Sequence, residues 1–214
     1  MYEKMDRSCS VALDEVMRAR HSVRAFSPAP LEKEDVNQIV RAGLIAPYAA
    51  MAVVGKPDFR KFFVIPADSP VRGKVKDLIV SRFPKYVEEI ERSAGPTPFV
   101  KMLKGGGPRM AGSLFDKPCI VVAGERWGVP AIAPESMSYC IENMWLKATS
   151  LKIGFQLLTV IPGMKLGNDR EFCQLLGLQP GDYYLDGFAL GYPASDYKQP
   201  PIKYPDFESS VKWV

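Results

Sequence analysis

The sequence predicts an α+β fold, in which helices and strands alternate irregularly around one core. The chain has 214 residues, a length that a single domain can serve. Hydrophobic residues make up 47% and charged residues 24%, values typical of a globular protein with a sizeable core. The predicted elements follow the order αα-β-αα-β-α-β-α-β, which lacks the regular βαβ succession of a parallel sheet. We therefore expect one domain over residues 1–214.

The first part of the chain predicts three helices and one strand. Residues 10–18 place apolar side chains on one helical face, and residues 36–44 repeat that pattern more cleanly. The second helix should end before Pro47, because the residue ahead of a proline disfavours the helical conformation. After a loop, the β-prone run 62–65 predicts a strand, and Ser69-Pro70 predicts the start of a third helix.

The region from residue 84 to residue 114 has a weaker pattern than its neighbours. It is rich in glycine and proline and contains the run Gly105-Gly106-Gly107-Pro108, which suits a flexible loop. The same run matches neither the dinucleotide-binding nor the phosphate-binding glycine signature. We expect this region to be an excursion from the domain that acts as a lid.

Three further strands are expected in the second part of the chain. They lie at 119–123, 155–161 and 184–190, and the dipeptide Pro162-Gly163 should form the turn that closes the second of them. Each run is apolar and is bounded by proline or glycine. Together with the first strand they would form the sheet.

Two helices and a tail complete the prediction. The strongest helical pattern spans 137–151, and its wide apolar stripe suits a central position or a subunit interface. Asn168 and Glu171 resemble the start of a short capped helix. The proline-rich tail 193–214 carries several aromatic residues that would be a liability in water. We expect this tail to wrap a partner chain.

Composition excludes several classes of function. A net charge of +4 with scattered basic residues favours a local anion site over a nucleic-acid interface. The apolar runs are far shorter than the ~18 residues of a membrane span, and the N-terminal residues lack a signal-peptide core, so we expect a cytoplasmic protein that binds no membrane. The four cysteines lack C-x-x-C spacing and predict reduced core thiols. Because His21 is the single histidine, mixed Cys/His zinc sites and Ser-His-Asp or Cys-His catalytic machinery are excluded, and we expect no metal site.

One segment has the composition of an anion site. In RHSVRAF, residues 20–26, Arg20, Ser22 and Arg24 alternate, so their side chains point the same way if the segment is extended. Two guanidinium groups and a hydroxyl suit a phosphate. Taken alone, the same pattern is more typical of a solvated basic loop.

The segment RHSVRAF resembles the R-x-S-x-R-x-F signature near the start of the nitroreductase family of flavin enzymes. The resemblance continues in order through PLEKEDVNQIVRAGLIAP, DKPCIVVAG and the long helix that ends in glycine. The stretch REFCQLLGLQPGDYYLDGFALGYP is the most specific match after the arginine motif. The resemblance implies a central, mostly antiparallel sheet flanked by helices, in an interlocked homodimer.

The resemblance also implies FMN as the cofactor, NAD(P)H as the reductant and a small electrophilic acceptor, such as a nitroaromatic or a quinone. Two FMN molecules would lie at the subunit interface, and the flavin would carry hydride in a ping-pong mechanism. Because the flavin would do the chemistry and the proton can come from solvent, we expect no catalytic side chain. A flavin-binding or redox-sensing protein without broad reductase activity is one alternative. A reductive dehalogenase or a flavin-fragmenting enzyme of the same fold is another.

The family's flavin contacts transfer to three segments and one tail residue. For Arg24 there is also an independent reason to expect a flavin contact, because a cation near flavin N1 and O2 favours the negatively charged reduced ring. Tyr48 and Met51 depart from the family pattern, which has a small residue and an asparagine there, and this departure puts the substrate in doubt. The expected cofactor-binding residues are Arg20, His21, Ser22 and Arg24; Pro47, Tyr48, Ala49 and Met51 from the partner chain; Ile161, Pro162 and Gly163 near flavin N5; and Lys203 at the phosphate.

Overall fold

The computed structural model describes residues 7–48, 50–199 and 205–214. Within these residues one sheet contains four strands in the order β1-β2-β4-β3, and every neighbouring pair is antiparallel. This sheet confirms the predicted α+β class and the antiparallel pairing that the family resemblance implied. The strands are β1 (Arg60–Pro66), β2 (Cys119–Arg126), β3 (Gly154–Leu157) and β4 (Tyr183–Gly191).

Helices cover both faces of this sheet. No helix among the described residues is both long enough and apolar enough to cross a membrane. The helices α2 and α5 lie on one face, and α3, α4, α6 and α7 lie on the other. The α-helices are α1 (Arg7–Ala19), α2 (Lys33–Leu44), α3 (Arg72–Ala94), α4 (Pro98–Ser113), α5 (Ala133–Ser150), α6 (Val160–Gly163), α7 (Arg170–Leu175) and α8 (Phe207–Ser210).

The central strand β2 shows why the sheet needs helices on both sides. Ile120 and Val122 belong to the core beneath α3 and α4, whereas Val121 and Ala123 belong to the core beneath α2 and α5. All four side chains are fully buried. Because successive side chains of a strand point to opposite faces, a continuous apolar run is stable only when both faces are covered. Full burial of each larger side chain contributes about 1.5–3 kcal/mol.

The prediction of a loop at Gly105-Gly106-Gly107-Pro108 is wrong, because these residues lie inside α4. Thr97 caps this helix, its hydroxyl accepting a hydrogen bond from the Val100 backbone N–H at 3.2 Å. At Gly107 a β-carbon would lie 2.1 Å from a ring carbon of Phe83, so glycine lets α4 approach α3. The cap and the contact with α3 outweigh the low helix propensity of glycine. The lid role of this region remains a prediction.

The strand expected at 155–161 ends early, at Leu157. The chain then turns into α6, in which the Ile161 N–H donates to the Leu158 carbonyl at 2.9 Å and the Gly163 N–H to the Thr159 carbonyl at 3.0 Å. Pro162 therefore lies within a helical turn and does not form the turn after a strand. An apolar run of this length fits either conformation, and periodicity cannot separate them.

The cap of α7 is one residue later than expected. The Asp169 carboxylate, and not Asn168, accepts the hydrogen bond from the Phe172 backbone N–H, at 2.9 Å. Both residue types are good N-caps, so the sequence did not distinguish them.

Three of the four cysteines are buried free thiols, as expected. Burial raises the pKa of Cys119 to about 11 and the pKa of Cys140 to about 12. The thiolate is the reactive form of cysteine, so these two side chains are inert near neutral pH. Cys9 contradicts the core prediction because it is exposed on α1.

Candidate functional site

The arginine segment follows α1 and is extended beside β3. Ser22 forms a parallel bridge with Phe155, and the Val23 N–H donates to the Phe155 carbonyl at 3.0 Å. Val23 is buried in the core, whereas Ser22 is half-buried and Arg24 is exposed. The extended conformation is the one that the alternation of Arg20, Ser22 and Arg24 requires.

Arg20 is held against the long helix α5. Its Nε atom lies 3.1 Å from a Glu142 carboxylate oxygen, and its guanidinium carbon lies 4.6 Å from the ring centroid of Trp145. Trp145 in turn donates its indole N–H to the His21 carbonyl at 3.3 Å. The two terminal nitrogens of Arg20 have no partner among the described residues. They are the atoms that remain for an anion.

The first part of the tail lies on the arginine segment of its own chain. The Tyr197 ring stacks on the His21 ring with 5.7 Å between centroids, and the Tyr197 hydroxyl donates to the Ser22 carbonyl at 2.9 Å. The Ala194 N–H donates to the Ala25 carbonyl at 3.1 Å. His21 therefore has a packing role, and only the later part of the tail remains to reach a partner chain.

Arg24 and Lys117 add two further cations beside this segment. The Lys117 ammonium donates to the Arg24 carbonyl at 3.2 Å and lies 5.7 Å from the ring centroid of Phe26. In the part of the chain that the structure describes, the Arg24 guanidinium has no partner. Sequence reasoning missed Lys117, because 93 residues separate it from Arg24. Its only signal was its place before the strand in DKPCIVVAG.

The second predicted segment presents apolar side chains to solvent. Tyr48 is 45% exposed and stacks on Phe59 with 4.2 Å between ring centroids. Met51 is 83% exposed, and Pro47 is exposed as well. Ala49 lies outside the described residues, as does Lys203 of the tail. Residues Ala50–Val53 form a 3-10 helix. We call Pro47, Tyr48 and Ala50–Val53 together the 47–53 loop.

The third predicted segment, Ile161-Pro162-Gly163, lies in α6, and its backbone N–H groups are already in use. The N–H groups of Ile161 and Gly163 donate within the turn, and Pro162 has no N–H. Ile161 is fully buried, and a β-carbon at Gly163 would lie 2.5 Å from the hydroxyl of Tyr86. None of the three residues therefore has a backbone N–H left to donate to a flavin ring.

A cavity of about 280 Å³ adjoins Pro162. Its walls include Trp127 and Tyr184, which meet edge to face with 5.9 Å between ring centroids. Lys165 and Asn168 also line it, and Lys165 has a left-handed backbone with φ 53° and ψ 44°. Aromatic walls with a few polar groups are typical of a small-molecule site.

A titratable carboxyl group lies in the strand next to α6. Burial raises the pKa of Asp186 to about 6. The hydrogen bond that its carboxylate accepts from the Gly187 N–H, at 2.7 Å, acts in the opposite direction and lowers the pKa. Among the described residues, no group of three or more His, Cys, Asp or Glu side chains is arranged to hold a metal ion.

Two features characterise this protein. It has a sheet with helices on both faces, and beside the sheet lies an extended segment whose guanidinium nitrogens lack hydrogen-bond partners among the described residues. The family model described as "Nitroreductase family" matches residues 17–192. The chain therefore belongs to the nitroreductase family, which confirms the resemblance seen in the sequence.

Solved structures show the same fold. A nitroreductase with bound FMN from Bacteroides fragilis is 21% identical, with a TM-score of 0.71, and the match covers 94% of this chain and 98% of that chain. A BluB-like flavoprotein from Clostridium difficile is 19% identical, with a TM-score of 0.71 and coverage of 99% and 100%. The FMN-dependent nitroreductase NfnB from Mycobacterium smegmatis, in complex with NADPH, is 12% identical, with a TM-score of 0.68 and coverage of 96% and 99%. Among curated proteins no sequence matches this chain significantly.

Proposed function

We propose that this protein is an FMN-dependent oxidoreductase that transfers hydride from NAD(P)H to a small electrophilic acceptor, of the nitroaromatic or quinone class. The observation that carries the proposal is the extended arginine segment. Among the described residues, neither the terminal nitrogens of Arg20, whose Nε is ion-paired with Glu142, nor the guanidinium of Arg24 has a hydrogen-bond partner, and Lys117 lies beside the segment. Such a group of cations suits a phosphate dianion.

The residues present fit the phosphate end of FMN and leave its ring with fewer polar contacts. Arg20, Ser22 and Arg24 supply charge and a hydroxyl, while Ile161, Pro162 and Gly163 supply no free backbone N–H. Met51 has no side-chain amide, so it cannot make the hydrogen bond to the flavin that an asparagine would make there. The lost contact is worth on the order of 1 kcal/mol. Bound FMN would supply the hydride chemistry, and the chain would bind it and orient it.

The cavity lined by Trp127 and Tyr184 supports the proposal that the acceptor is small. Its volume of about 280 Å³ is near the lower end of the range for small-molecule sites. The cavity adjoins Pro162, so an acceptor there would lie beside the segment proposed to contact the flavin ring.

The proposal includes a homodimer in which the partner chain supplies the 47–53 loop to each flavin site. Two surfaces support it. The apolar side chains Val11, Leu13 and Met17 of α1 are exposed, as is Trp213 near the end of the tail. Leu13 and Met17 are one helical turn apart on the same side of α1, and neighbouring exposed apolar groups typically mark interaction surfaces. One chain alone leaves them in water.

Flavin retention tests the cofactor. The purified protein is expected to bind FMN, and Arg20→Ala should weaken FMN affinity at least about tenfold, because a lost charge-assisted hydrogen bond costs roughly 1.5–3 kcal/mol. Arg41→Ala is the matched control, since Arg41 pairs with Glu34 on the exposed side of α2, at 3.0 Å. A wild type that neither carries nor takes up FMN would refute the proposal.

Stopped-flow reduction tests the reaction. Rapid bleaching of the bound flavin by NADH or NADPH, followed by rapid reoxidation by a nitroaromatic or a quinone, is the expected result. Slow bleaching by both nicotinamides would instead support a flavin-binding protein without reductase activity.

A further inference from the structure

A buried ion pair joins β1 to β2 beneath the 47–53 loop. Arg60 and Glu125 are directly paired across the two strands, and the Arg60 Nε lies 2.6 Å from a Glu125 carboxylate oxygen. Their side chains are only 1% and 3% exposed. Removing two charges from water carries a desolvation cost that their attraction offsets only when further hydrogen bonds satisfy both groups. The remaining partners of Arg60 therefore decide what this pair does.

Most of those partners are backbone carbonyls at the end of α2 and in the residues that lead into the 47–53 loop. One terminal nitrogen of Arg60 donates to the carbonyls of Gly43 at 2.7 Å and Ala46 at 3.2 Å. The other donates to the Pro47 carbonyl at 3.3 Å. These carbonyls belong to the end of α2 and to the residues that follow it, where the helix leaves acceptors without internal partners. Arg60 thus fixes the direction in which the chain leaves α2.

Ser136 closes the network from α5. Its hydroxyl donates to the second Glu125 carboxylate oxygen at 2.6 Å and accepts from Arg60 at 3.3 Å. Every guanidinium nitrogen of Arg60 and both oxygens of Glu125 therefore have partners. We call Arg60, Glu125 and Ser136 the buried clamp.

The aromatic residues above the clamp extend its hold along the loop. The Arg60 guanidinium carbon lies 5.5 Å from the ring centroid of Phe59 and 6.0 Å from that of Tyr48, and the two rings stack on each other. Pro47 is thus held by its hydrogen bond from Arg60 and Tyr48 by its stacking on Phe59, while Met51 remains exposed. The clamp and the stacked rings therefore set the conformation of the first two residues of the loop.

We propose that Arg60 is a positioning residue that sets the 47–53 loop through the buried clamp, so that the loop is preorganised to contact the flavin of the partner subunit. The inference rests on the proposed function for the identity of the ligand. Its structural part, the setting of the loop, depends only on the contacts of one chain. Preorganisation of this kind increases affinity by reducing the ordering cost of binding.

Arg60→Lys tests the clamp, because lysine keeps the charge but has a single nitrogen that cannot reach the carboxylate and the carbonyls together. The matched control is Arg72→Lys. Arg72 also binds loop carbonyls, donating to Phe115 at 2.7 Å and to Pro118 at 3.4 Å, but in the connection between α4 and β2. Amide hydrogen exchange of the flavin-free protein is measured for both variants, together with FMN affinity and urea unfolding.

In Arg60→Lys the amides of the 47–53 loop should exchange at least about tenfold faster, and FMN affinity should fall about tenfold, the equivalent of one strong hydrogen bond. Arg72→Lys should leave both unchanged even if it lowers stability equally. Unchanged exchange in the loop, or an equal loss of FMN affinity in both variants, would overturn the proposal.

Ser136→Ala provides the second variant if Arg60→Lys does not fold. It keeps the ion pair and removes one partner of each charge, so a smaller acceleration confined to the same loop is expected. No acceleration there would count against the clamp. If the wild type binds no FMN, the proposed function fails, and the exchange data still decide the structural part.

Discussion

At the residue scale, Asp186 has surroundings that couple its protonation to folding. Its carboxyl group lies on β4 and accepts a hydrogen bond from the Gly187 N–H, and no cation pairs with it among the described residues. Burial disfavours the charged form and raises the pKa to about 6, whereas an unfolded aspartate titrates near 3.9. Between these two values the folded state binds the proton and the unfolded state releases it.

The free energy of unfolding should therefore fall as pH rises from about 4 to about 6 and then level off. Asp186→Asn removes this titration, so the variant should be more stable than the wild type at pH 8, by about 3 kcal/mol, and no more stable at pH 4. Urea unfolding at these pH values measures the difference. A variant that is equally stable or less stable at pH 8 would contradict the prediction.

Asp58→Asn is the control of opposite sign. Hydrogen bonds from Arg126 and Tyr183 hold the pKa of the Asp58 carboxyl below its usual range. The stabilisation from this depressed pKa is present above the unfolded pKa and is lost as pH falls through the folded pKa. Asp58→Asn should consequently lower stability at pH 8, where Asp186→Asn raises it.

Tyr48 is expected to limit the size of the acceptor. Its ring is large, partly exposed and fixed on Phe59, so under the proposed function it would cover part of the partner's flavin. Tyr48→Ser should raise kcat/KM for bulky nitroaromatics with little change in FMN affinity. A steady-state series over acceptors of increasing size tests this, with Tyr48→Phe as the control that keeps the ring. An unchanged size dependence would show that Tyr48 points away from the site.

At the element scale, the glycines of α4 differ sharply in their surroundings. A β-carbon at Gly105 or Gly106 would meet nothing within 4 Å, whereas one at Gly107 would collide with the Phe83 ring at 2.1 Å. The same substitution in one helix therefore has two opposing effects. At Gly105 only helix propensity changes, and at Gly107 the contact with α3 changes as well.

Gly105→Ala should raise the free energy of unfolding by up to about 1 kcal/mol, because alanine favours the helix. Gly107→Ala should lower it by about 1–3 kcal/mol, because a rigid ring must move. Thermal and urea unfolding of the two variants provide the measurement. Equal effects at both positions would mean that α4 does not pack on Phe83.

At the scale of the whole molecule, the apolar surface of α1 predicts assembly. The protein should sediment at twice the chain mass of 23.8 kDa. Leu13→Glu, on the exposed face of α1, should weaken the dimer and FMN retention together, because a buried charge is costly at an interface. Glu15→Lys on the same helix serves as a charged control of ordinary surface type. A stable monomer at micromolar concentration that retains FMN would contradict the prediction.

The sequence by itself determined the features that depend on neighbouring residues. The run of apolar residues at 119–123 identified the central strand, the spacing in 36–44 identified α2, and Pro47 marked its end. The arginine segment and the stretch before Tyr192 carried the family, which the match over residues 17–192 confirms. Each of these signals lies within a few residues of the feature that it predicts.

Only the tertiary structure decided the features that depend on contacts between distant segments. Gly107 lies in a helix because Thr97 caps α4 and because α4 packs closely against Phe83 of α3 at this position. Lys117 comes to the arginine segment across 93 residues, and Arg60 reaches Glu125 across 65. A strand arginine has no local pattern that announces a buried ion pair, since its charge is stable there only when partners from several elements enclose it.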